Sequence, residues 1–492
     1  PEGFHGSFLS GGLNYLNPAP ITQPFNQAFS LKIGNQERAL DQTGFQDITF
    51  DGRYPIGQVT YRDKDCPVRV KLQAFSPFIP QNLDDSSLPA TVMSYKLTNT
   101  TSQPVQVELV GVMENPVCPD SRNNLPGKFR NRIVKEKNFD ALVSSVESKT
   151  KDDSNRPDIL FEDFEDTSYS GWISKGKSFG DGPVPRDATP EYQGKIGGQG
   201  EHIVNSHASA SGNTITSKDG KRGKLTSRLF KIERSYINLW IGGGAHQQRT
   251  CVNIFIDGKT VVSITGESNN RMVRRSVNVG AYQGQMAQIE IVDDESGPWG
   301  NIGVDHIVFS DKTASDGALQ DQPDFGTMTL ALLGKATDAT SDTNQLDNPI
   351  NSTSDFGSTI TGSLSQKFTI SSGASKTVSF TITWHFPNFK SKGCNNALVG
   401  HYYAARFGSA LQVTRYMDRH FKRLSEDTRQ WVSTWYDSTL PYWFLDRTMA
   451  NTSILATATC HRFRDGRFWA WEGIGCCHGT CTHVWHYAQA PG

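Results

Sequence analysis

The sequence has no excess of charge of either sign. Its 49 lysines and arginines and 50 aspartates and glutamates leave a formal net charge of −1 over 492 residues. Proteins that bind nucleic acid or anionic membranes generally carry a clear basic excess, so neither is an expected partner. The sequence also lacks a run of 18 apolar residues, and we therefore expect no transmembrane segment.

Cysteine is scarce outside one short stretch near the C-terminal end. The eight cysteines are Cys66, Cys118, Cys251, Cys394, Cys460, Cys476, Cys477 and Cys481. This density is too low for a disulfide-rich scaffold, and the redox compartment stays open. The chain begins at Pro1 without a Met, a basic segment or an apolar segment, so a signal peptide is not visible. We expect both ends to lie within a longer protein, and the sequence leaves open the oligomeric state and the localisation, whether bacterial exported or cytoplasmic.

Residues 1–157 carry the pattern of antiparallel β-structure. The apolar residues Val68, Val70 and Leu72 alternate with charged ones, and similar alternation recurs over 90–97 and 105–112. Turn-forming residues separate these runs. The spacing predicts the first part of an N-terminal β-sandwich, and the polar composition from about 141 to 157 predicts a linker.

Residues 158–311 have the features of a second β-unit. Strand-like runs cover 236–241, 251–256 and 288–292, and Asp257-Gly258 predicts a tight hairpin turn. We expect an inserted jelly-roll β-sandwich of carbohydrate-binding type, which is similar to the sandwiches appended to some bacterial sucrose and fructan hydrolases.

Acidic residues at the two ends of this unit are candidate metal ligands. Glu162, Asp163 and Asp305 could bind a structural Ca²⁺, because carboxylate oxygens are the ligands that this ion prefers. The alternative is a solvated acidic edge that prevents strand pairing with other chains.

Residues 312–392 return to the β-pattern. The simplest interpretation is that the first sandwich resumes here, since an insertion at a surface loop costs little closure entropy. Three domains in a row is the alternative. From 393 to 492 the pattern becomes helical, because apolar residues from Val413 to Trp435 recur three, four or seven positions apart. Pro441 ends that run, and we expect a second helix from Trp443 to about Ala456.

The stretch 465–490 contains the residues most typical of catalysis. Its carboxylate Glu472 follows Trp469 and Trp471, and Asp465-Gly466 before them predicts a two-residue hairpin turn. Aromatic faces pack against the C–H face of a pyranose, while a carboxylate attacks or stabilises the anomeric carbon. The competing interpretation is a surface glutamate on a turn beside aromatic core residues.

A metal site is another interpretation of the same stretch. Its cysteines and histidines are Cys476, Cys477, Cys481, His478, His483 and His486. Cys476 and Cys477 are adjacent, however, and the gap from Cys477 to Cys481 differs from the C-x₂-C spacing of zinc ribbons. His483 and His486 could still bind one zinc ion together. The cysteines could instead pack behind the site, or the adjacent pair could form a vicinal disulfide.

Several parts of the chain resemble one enzyme family. The matching residues near the C-terminal end are Gly466, Arg467, Phe468, Trp471, Glu472, Gly473, Thr480, His483, Tyr487 and Ala488. Segments 54–61, 74–80, 84–90 and 381–387 resemble the N-terminal β-sandwich of the same family, and 431–443 resembles its first helices. The family is glycoside hydrolase family 116, which includes bile-acid β-glucosidase, or non-lysosomal glucosylceramidase, and bacterial and archaeal β-glucosidases.

The resemblance implies a retaining β-glycoside hydrolase, similar to a β-glucosidase or glucosylceramidase, in which Glu472 is the nucleophile. Trp471, Trp485 and His483 would contact the substrate, a carbohydrate or a glycolipid, although some family members have an Asp at the position of His483. Residues 393–492 would begin an (α/α)6 barrel, and the acid/base Asp would lie beyond residue 492. This chemistry requires no cofactor. The alternative function is a non-catalytic carbohydrate-binding β-sandwich protein.

Overall fold

The computed structural model describes residues 25–148, 156–314, 317–391, 397–456 and 460–470. Within these ranges the chain is mostly antiparallel β-sheet with few helices. The prediction of a multidomain chain that combines β-structure with helices is therefore confirmed.

Strands from two separate stretches of the chain form what we call the outer unit. The first stretch contributes β1 (Gln27–Ile33), β2 (Gln36–Ala39), β3 (Asp47–Arg53), β4 (Ile56–Arg62), β5 (Val68–Phe75), β6 (Ala90–Asn99), β7 (Val105–Glu114), β8 (Gly127–Lys135) and β9 (Asp140–Ser148). The second, numbered in chain order, contributes β22 (Thr327–Leu333), β23 (Asp338–Thr340), β24 (Asn351–Asp355), β25 (Thr361–Ile370) and β26 (Ser375–His385).

The two stretches share both sheets of the outer unit. One sheet has the order β2-β1-β7-β25-β23, and the other has the order β24-β8-β9-β22-β26-β6-β5-β4-β3. Leu330 of β22 lies opposite Leu142 on one side and Ile382 on the other. One hydrophobic core contains residues of both sheets, among them Leu109 and Phe380. The outer unit is therefore complete only when residues 327–385 have folded onto residues 27–148.

The alternating pattern of β5 produces this burial directly. Val68, Val70 and Leu72 are buried, while Arg69 and Lys71 between them are exposed, as the sequence predicts. The prediction of a linker from about 141 is wrong in its first part, because β9 continues to Ser148. The polar Ser144 is fully buried there and donates a hydrogen bond to the side chain of Asn131, so polar composition is not evidence of a linker here.

Between the two stretches lies a middle unit with its own sheets and core. Its strands are β10 (Ile159–Glu162), β11 (Trp172–Gly176), β12 (Val184–Pro185), β13 (His202–Asn205), β14 (Gly223–Ser227), β15 (Phe230–Lys231), β16 (Tyr236–Gly243), β17 (Thr250–Ile256), β18 (Lys259–Thr265), β19 (Asn269–Asn278), β20 (Met286–Asp293) and β21 (Ile302–Ser310). They form two six-stranded sheets, which share a core that includes Leu239 and Ile289. The predicted turn between β17 and β18 is confirmed, since Asp257 and Gly258 both have positive φ, at 49° and 74°.

One long helix dominates the helical part of the chain. The helices are α1 (Leu83–Ser86), α2 (Ser206–Ser209), α3 (Ile215–Asp219), α4 (Tyr403–Arg406), α5 (Ala410–Tyr436) and α6 (Tyr442–Met449). The helix expected over Val413–Trp435 is α5, which begins after Ser409, whose side chain accepts a hydrogen bond from the Gln412 amide. The second expected helix is shorter than predicted, because a 3-10 helix replaces it from Ala450 to Ala456.

Two short strand pairs, β27 (Lys390–Ser391) with β28 (Ala397–Leu398) and β29 (Cys460–Arg462) with β30 (Phe468–Ala470), complete the described chain.

Helix α5 lies against the outer unit through an apolar face. Val413, Met417 and Leu424 are fully buried in one cluster with Phe75 and Val92 of the nine-stranded sheet. The spacing of these helix residues brings them to one side, as the sequence predicts.

A buried carboxylate reinforces the same interface from the loop between β5 and β6. Asp85 accepts hydrogen bonds from Tyr416 at 2.7 Å and from Asn82 at 2.8 Å, and Arg423 lies 2.8 Å away. Burial acts to raise the pKa of Asp85, but the hydrogen bonds from Tyr416 and Arg423 and the charge of Arg423 outweigh it and hold the pKa below its usual value. The carboxylate is therefore ionised and fully paired at neutral pH.

Two other buried carboxyls, both in the middle unit, are shifted in the opposite direction. Asp293 and Asp305 are almost inaccessible to solvent, and each has one oxygen without a hydrogen-bond partner. Burial raises the pKa of each to about 7. In Asp305 the hydrogen bond from the Gln199 amide acts in the opposite direction but is outweighed by burial. Both groups bind a proton more tightly in the folded state than in the unfolded state.

We expect the substitution Asp85→Asn to lower the free energy of unfolding by about 2 kcal/mol at pH 7, because the charged hydrogen bonds to Tyr416 and Arg423 lose their carboxylate. Because the folded pKa is depressed, this contribution is present above the unfolded pKa and disappears as the pH falls through the folded one. Denaturant unfolding at pH 7 and pH 2.5 measures both effects. The control is Asp427→Asn, which removes a more exposed carboxylate 3.6 Å from the same Arg423. Equal effects of the two substitutions would contradict the assignment of this stabilisation to the buried carboxylate of Asp85.

The middle unit should become less stable as the pH rises from 4 to 7. The folded pKa values of Asp293 and Asp305 lie above the unfolded ones, so their stabilising protonation is complete at low pH and is lost as the pH passes about 7. Asp293→Asn and Asp305→Asn should therefore raise Tm at pH 8 and change it little at pH 4.5. Calorimetry at the two pH values tests this, with the exposed Asp187→Asn as the control. A Tm that is equally changed at both pH values would be evidence against it.

Candidate active site

The last described element is a hairpin that leads directly to the predicted nucleophile. Strands β29 and β30 pair with Cys460 opposite Ala470, His461 opposite Trp469 and Arg462 opposite Phe468. The hairpin is as predicted but its turn is not a two-residue type I′ turn. The amide of Phe463 donates to the carbonyl of Arg467, and Gly466 alone has positive φ, at 90°, which is typical of a three-residue loop ending in a glycine bulge.

Aromatic and imidazole rings stack beneath this hairpin. Phe389 stacks on both His401 and His461, with ring centroids 4.5 Å and 4.8 Å away, and the two imidazole centroids lie 6.5 Å from each other. His401 also stacks on Tyr403 at 4.9 Å, and Phe463 lies 5.6 Å from Trp469. The hairpin therefore packs on a base of stacked rings that also contains Tyr403, the first residue of α4.

Burial keeps two histidines at this base, His401 and His385, in the neutral form. Burial, followed by the nearby His461 and His385, lowers the pKa of His401 to about 3. Burial also lowers the pKa of His385, whose Nε2 lies 2.8 Å from the carbonyl oxygen of Phe407. At neutral pH these two imidazoles therefore pack as uncharged aromatic groups.

The arginine of β29 joins the hairpin to the outer unit. The Nη1 atom of Arg462 lies 3.3 Å from Oδ1 of Asp84, which belongs to α1, and its guanidinium covers the ring of Tyr402. The hydroxyl of Tyr402 donates to the same Asp84 oxygen at 3.0 Å, and Arg406 donates to the Asp84 carbonyl. The loop between β5 and β6 thus contacts both β29 and the residues at the two ends of α4.

The predicted site residues lie just past this hairpin. Glu472, Trp471, His483 and Trp485 are outside the described residues, as are the cysteines and histidines of the zinc site considered above, Cys476 to His486. The resemblance assigns their roles, and those roles stay predictions. The sequence patterns did not single out Arg462 or Tyr402, and the adjacent acids Asp84 and Asp85 were the only local signal of this contact.

The three predicted calcium ligands are not brought together as one site. Glu162 accepts a hydrogen bond from Trp172 Nε1 at 2.9 Å, Asp163 accepts one from the Glu165 amide, and Asp305 accepts one from the Gln199 amide at 2.6 Å. Across the described residues, no group of three or more His, Cys, Asp or Glu side chains could hold a metal ion. The geometry gives the calcium prediction no support.

Comparison with protein families gives one match that covers more than half of the chain. Residues 18–170 and 269–424 match the family described as "beta-glucosidase 2, glycosyl-hydrolase family 116 N-term". The interruption falls within the middle unit. None of the helices in the described ranges has the length and apolar character needed to cross a membrane.

A curated relative is also similar to part of the chain. "Putative glycosyl hydrolase ecdE" of Aspergillus rugulosus is 32% identical over 183 residues, which cover 36% of this chain and 25% of that protein. The chain thus matches about a quarter of the length of this relative.

Solved structures resemble the chain only weakly. "Putative kojibiose phosphorylase from human microbiome" has a TM-score of 0.28 and 8% identity, covering 84% of this chain and 28% of its own. The K3 cleaved adhesin domain of Lys-gingipain from Porphyromonas gingivalis has a TM-score of 0.22 and 14% identity, covering 31% and 99%. Neither score is high enough to carry an argument. The family match, by contrast, extends over both stretches of the outer unit and into α5, and the chain belongs to glycoside hydrolase family 116.

Proposed function

We propose that this chain is part of a retaining β-glycoside hydrolase, similar to a β-glucosidase or glucosylceramidase, whose nucleophile is Glu472. The observation that carries the proposal is the hairpin β29–β30, held on a buried base of stacked rings and ending two residues before Glu472. Family membership supports glycoside hydrolysis as the reaction class.

The reaction requires two carboxyl groups about 5 Å apart. Glu472 attacks the anomeric carbon and forms a glycosyl ester, while an acid protonates the leaving oxygen. The same second group, as its conjugate base, then takes a proton from the water that hydrolyses the ester. We assign that group to an Asp beyond residue 492, as the family resemblance implies.

The substrate in this proposal is a carbohydrate or a glycolipid. Trp471 and Trp485 would pack on sugar faces, and His483 would contact a hydroxyl group. The outer unit is proposed as the N-terminal β-sandwich, and residues 393–492 as the start of the (α/α)6 catalytic domain. The middle unit is proposed as an inserted jelly-roll of carbohydrate-binding type, bounded by residues 158 and 311.

A mechanism-based inhibitor tests the nucleophile. A 2-deoxy-2-fluoro-β-glucoside with a good leaving group should label the full-length protein once, on Glu472, because the fluorine slows hydrolysis of the glycosyl ester. Mass spectrometry of the intact protein and its peptides locates the label. Glu472→Gln should abolish labelling and lower kcat on the order of 10³-fold or more. Glu426→Gln, an exposed carboxylate on α5, is the control.

A further readout separates loss of the nucleophile from loss of folding. In Glu472→Gly, azide should restore turnover and give a glycosyl azide of α configuration, since azide attacks from the vacated face. Binding of sugars by wild-type protein without any label on Glu472 would instead favour a non-catalytic carbohydrate-binding protein.

A further inference from the structure

Two adjacent aspartates in the loop between β5 and β6 bind different parts of the chain. Asp85 is buried and holds helix α5 through Tyr416 and Arg423. Asp84, whose side chain is about half exposed, instead meets the hairpin that precedes Glu472. One short helix of the outer unit thus fixes both elements that continue toward the catalytic domain.

Arg462 is the hairpin residue that receives this contact. Its guanidinium carbon lies 3.3 Å from the centroid of the Tyr402 ring, and its side chain is only 21% exposed. Its Nη1 also approaches Leu83 O and Ser87 Oγ, at 3.4 Å and 3.3 Å. A planar guanidinium between a ring and several acceptors has one favoured orientation, which a flexible ammonium group would not reproduce.

The backbone adds a second connection at the same place. The Tyr402 amide donates to the Arg462 carbonyl at 2.9 Å, and His401 bridges to Phe463. We call the set Asp84, Tyr402 and Arg462 the hairpin latch. It joins the outer unit, the start of α4 and strand β29, three elements far apart in the sequence.

The latch is close to Glu472 along the chain. Arg462 pairs across the hairpin with Phe468, and β30 ends at Ala470. Glu472 follows Ala470 by only two residues in the sequence. A rotation or slip of the hairpin would therefore move the start of the nucleophile segment.

The contact between Asp84 and Arg462 can affect the reaction rate much more than it affects the stability of the fold. A half-exposed ion pair such as Asp84 with Arg462 contributes little to stability, because water screens the charges. Misplacing a reacting group by about 1 Å can cost on the order of 100-fold in rate. The same contact can thus be minor for folding and important for the orientation of a nucleophile.

We propose that Asp84 and Arg462 are positioning residues that set the orientation of the hairpin that precedes Glu472 in the chain. The inference rests on the proposed function, in which Glu472 is the nucleophile. It assigns the outer unit a direct part in catalysis, although Asp84 itself touches no reacting atom.

The test compares labelling rates in the full-length protein. Wild type, Asp84→Asn, Tyr402→Phe, Arg462→Lys and Arg462→Met are each treated with the 2-fluoro-β-glucoside at several concentrations. This separates the first-order labelling rate constant at saturation from the concentration that gives half the maximal rate. The matched control is Arg53→Met, because Arg53 stacks on Tyr436 at 4.6 Å and joins the outer unit to α5 by the same chemistry.

We expect Asp84→Asn and Arg462→Met to lower the saturating rate constant roughly 10- to 100-fold. Arg462→Lys, which keeps the charge, should recover part of the loss, and Tyr402→Phe should have a smaller effect. The half-saturating concentration should change less than about threefold, and Tm should fall by less than about 4 °C. Arg53→Met should label at the wild-type rate.

Three outcomes would overturn the inference. If Asp84→Asn and Arg462→Met label Glu472 as fast as wild type, the latch has no positioning role and the proposed nucleophile stands. If wild type is not labelled on Glu472, the proposed function fails and the latch inference fails with it. If Arg462→Met does not fold, Asp84→Asn decides alone, and an unchanged rate in that variant rejects the latch.

Discussion

The constraint on which the rest of the structure depends is the need to pair one buried carboxylate. Asp85 is inaccessible to solvent, and an ionised group in that position is tolerated only with hydrogen-bonded partners. Two of its partners, Tyr416 and Arg423, lie almost two turns apart on α5. The pairing therefore fixes the long helix in both position and rotation against the nine-stranded sheet.

The outer unit can accommodate the middle unit because the strands that precede and follow the middle unit pair directly with each other. β9 ends at Ser148 and β22 begins at Thr327, and these two strands are direct neighbours in the nine-stranded sheet. The chain leaves and returns within one ladder, so the inserted residues are anchored at adjacent points and their length adds little closure entropy. Contacts between the units include polar ones, such as the hydrogen bond from the Ser276 amide to Asn124. The family match is interrupted in the same region, over residues 171–268.

Local patterns predicted the elements whose causes are local. The alternation at Val68–Leu72, the Asp257-Gly258 turn and the helix over Val413–Trp435 each depend on neighbouring residues. Two features were missed where distant contacts decide. Ser144 is hydrophilic but occupies a buried strand because Asn131 satisfies its hydroxyl. The hairpin latch joins residues more than 370 positions apart, and no periodicity in the sequence could have indicated it.

Asp84 and Asp85 show how two adjacent residues of one loop can have different roles, one in the stability of the helix interface and the other in the orientation of the hairpin. Burial makes the Asp85 contacts strong, so they determine where the helix lies. Exposure makes the Asp84 contact weak in free energy, but Arg462 and the Tyr402 ring still restrict its direction. A weak, directional contact suits a hairpin that precedes the proposed nucleophile, because small errors in orientation affect reaction rates more than they affect folding. The neutral His401 ring adds packing without charge below the hairpin, while Arg462 joins the hairpin to Asp84 of the outer unit.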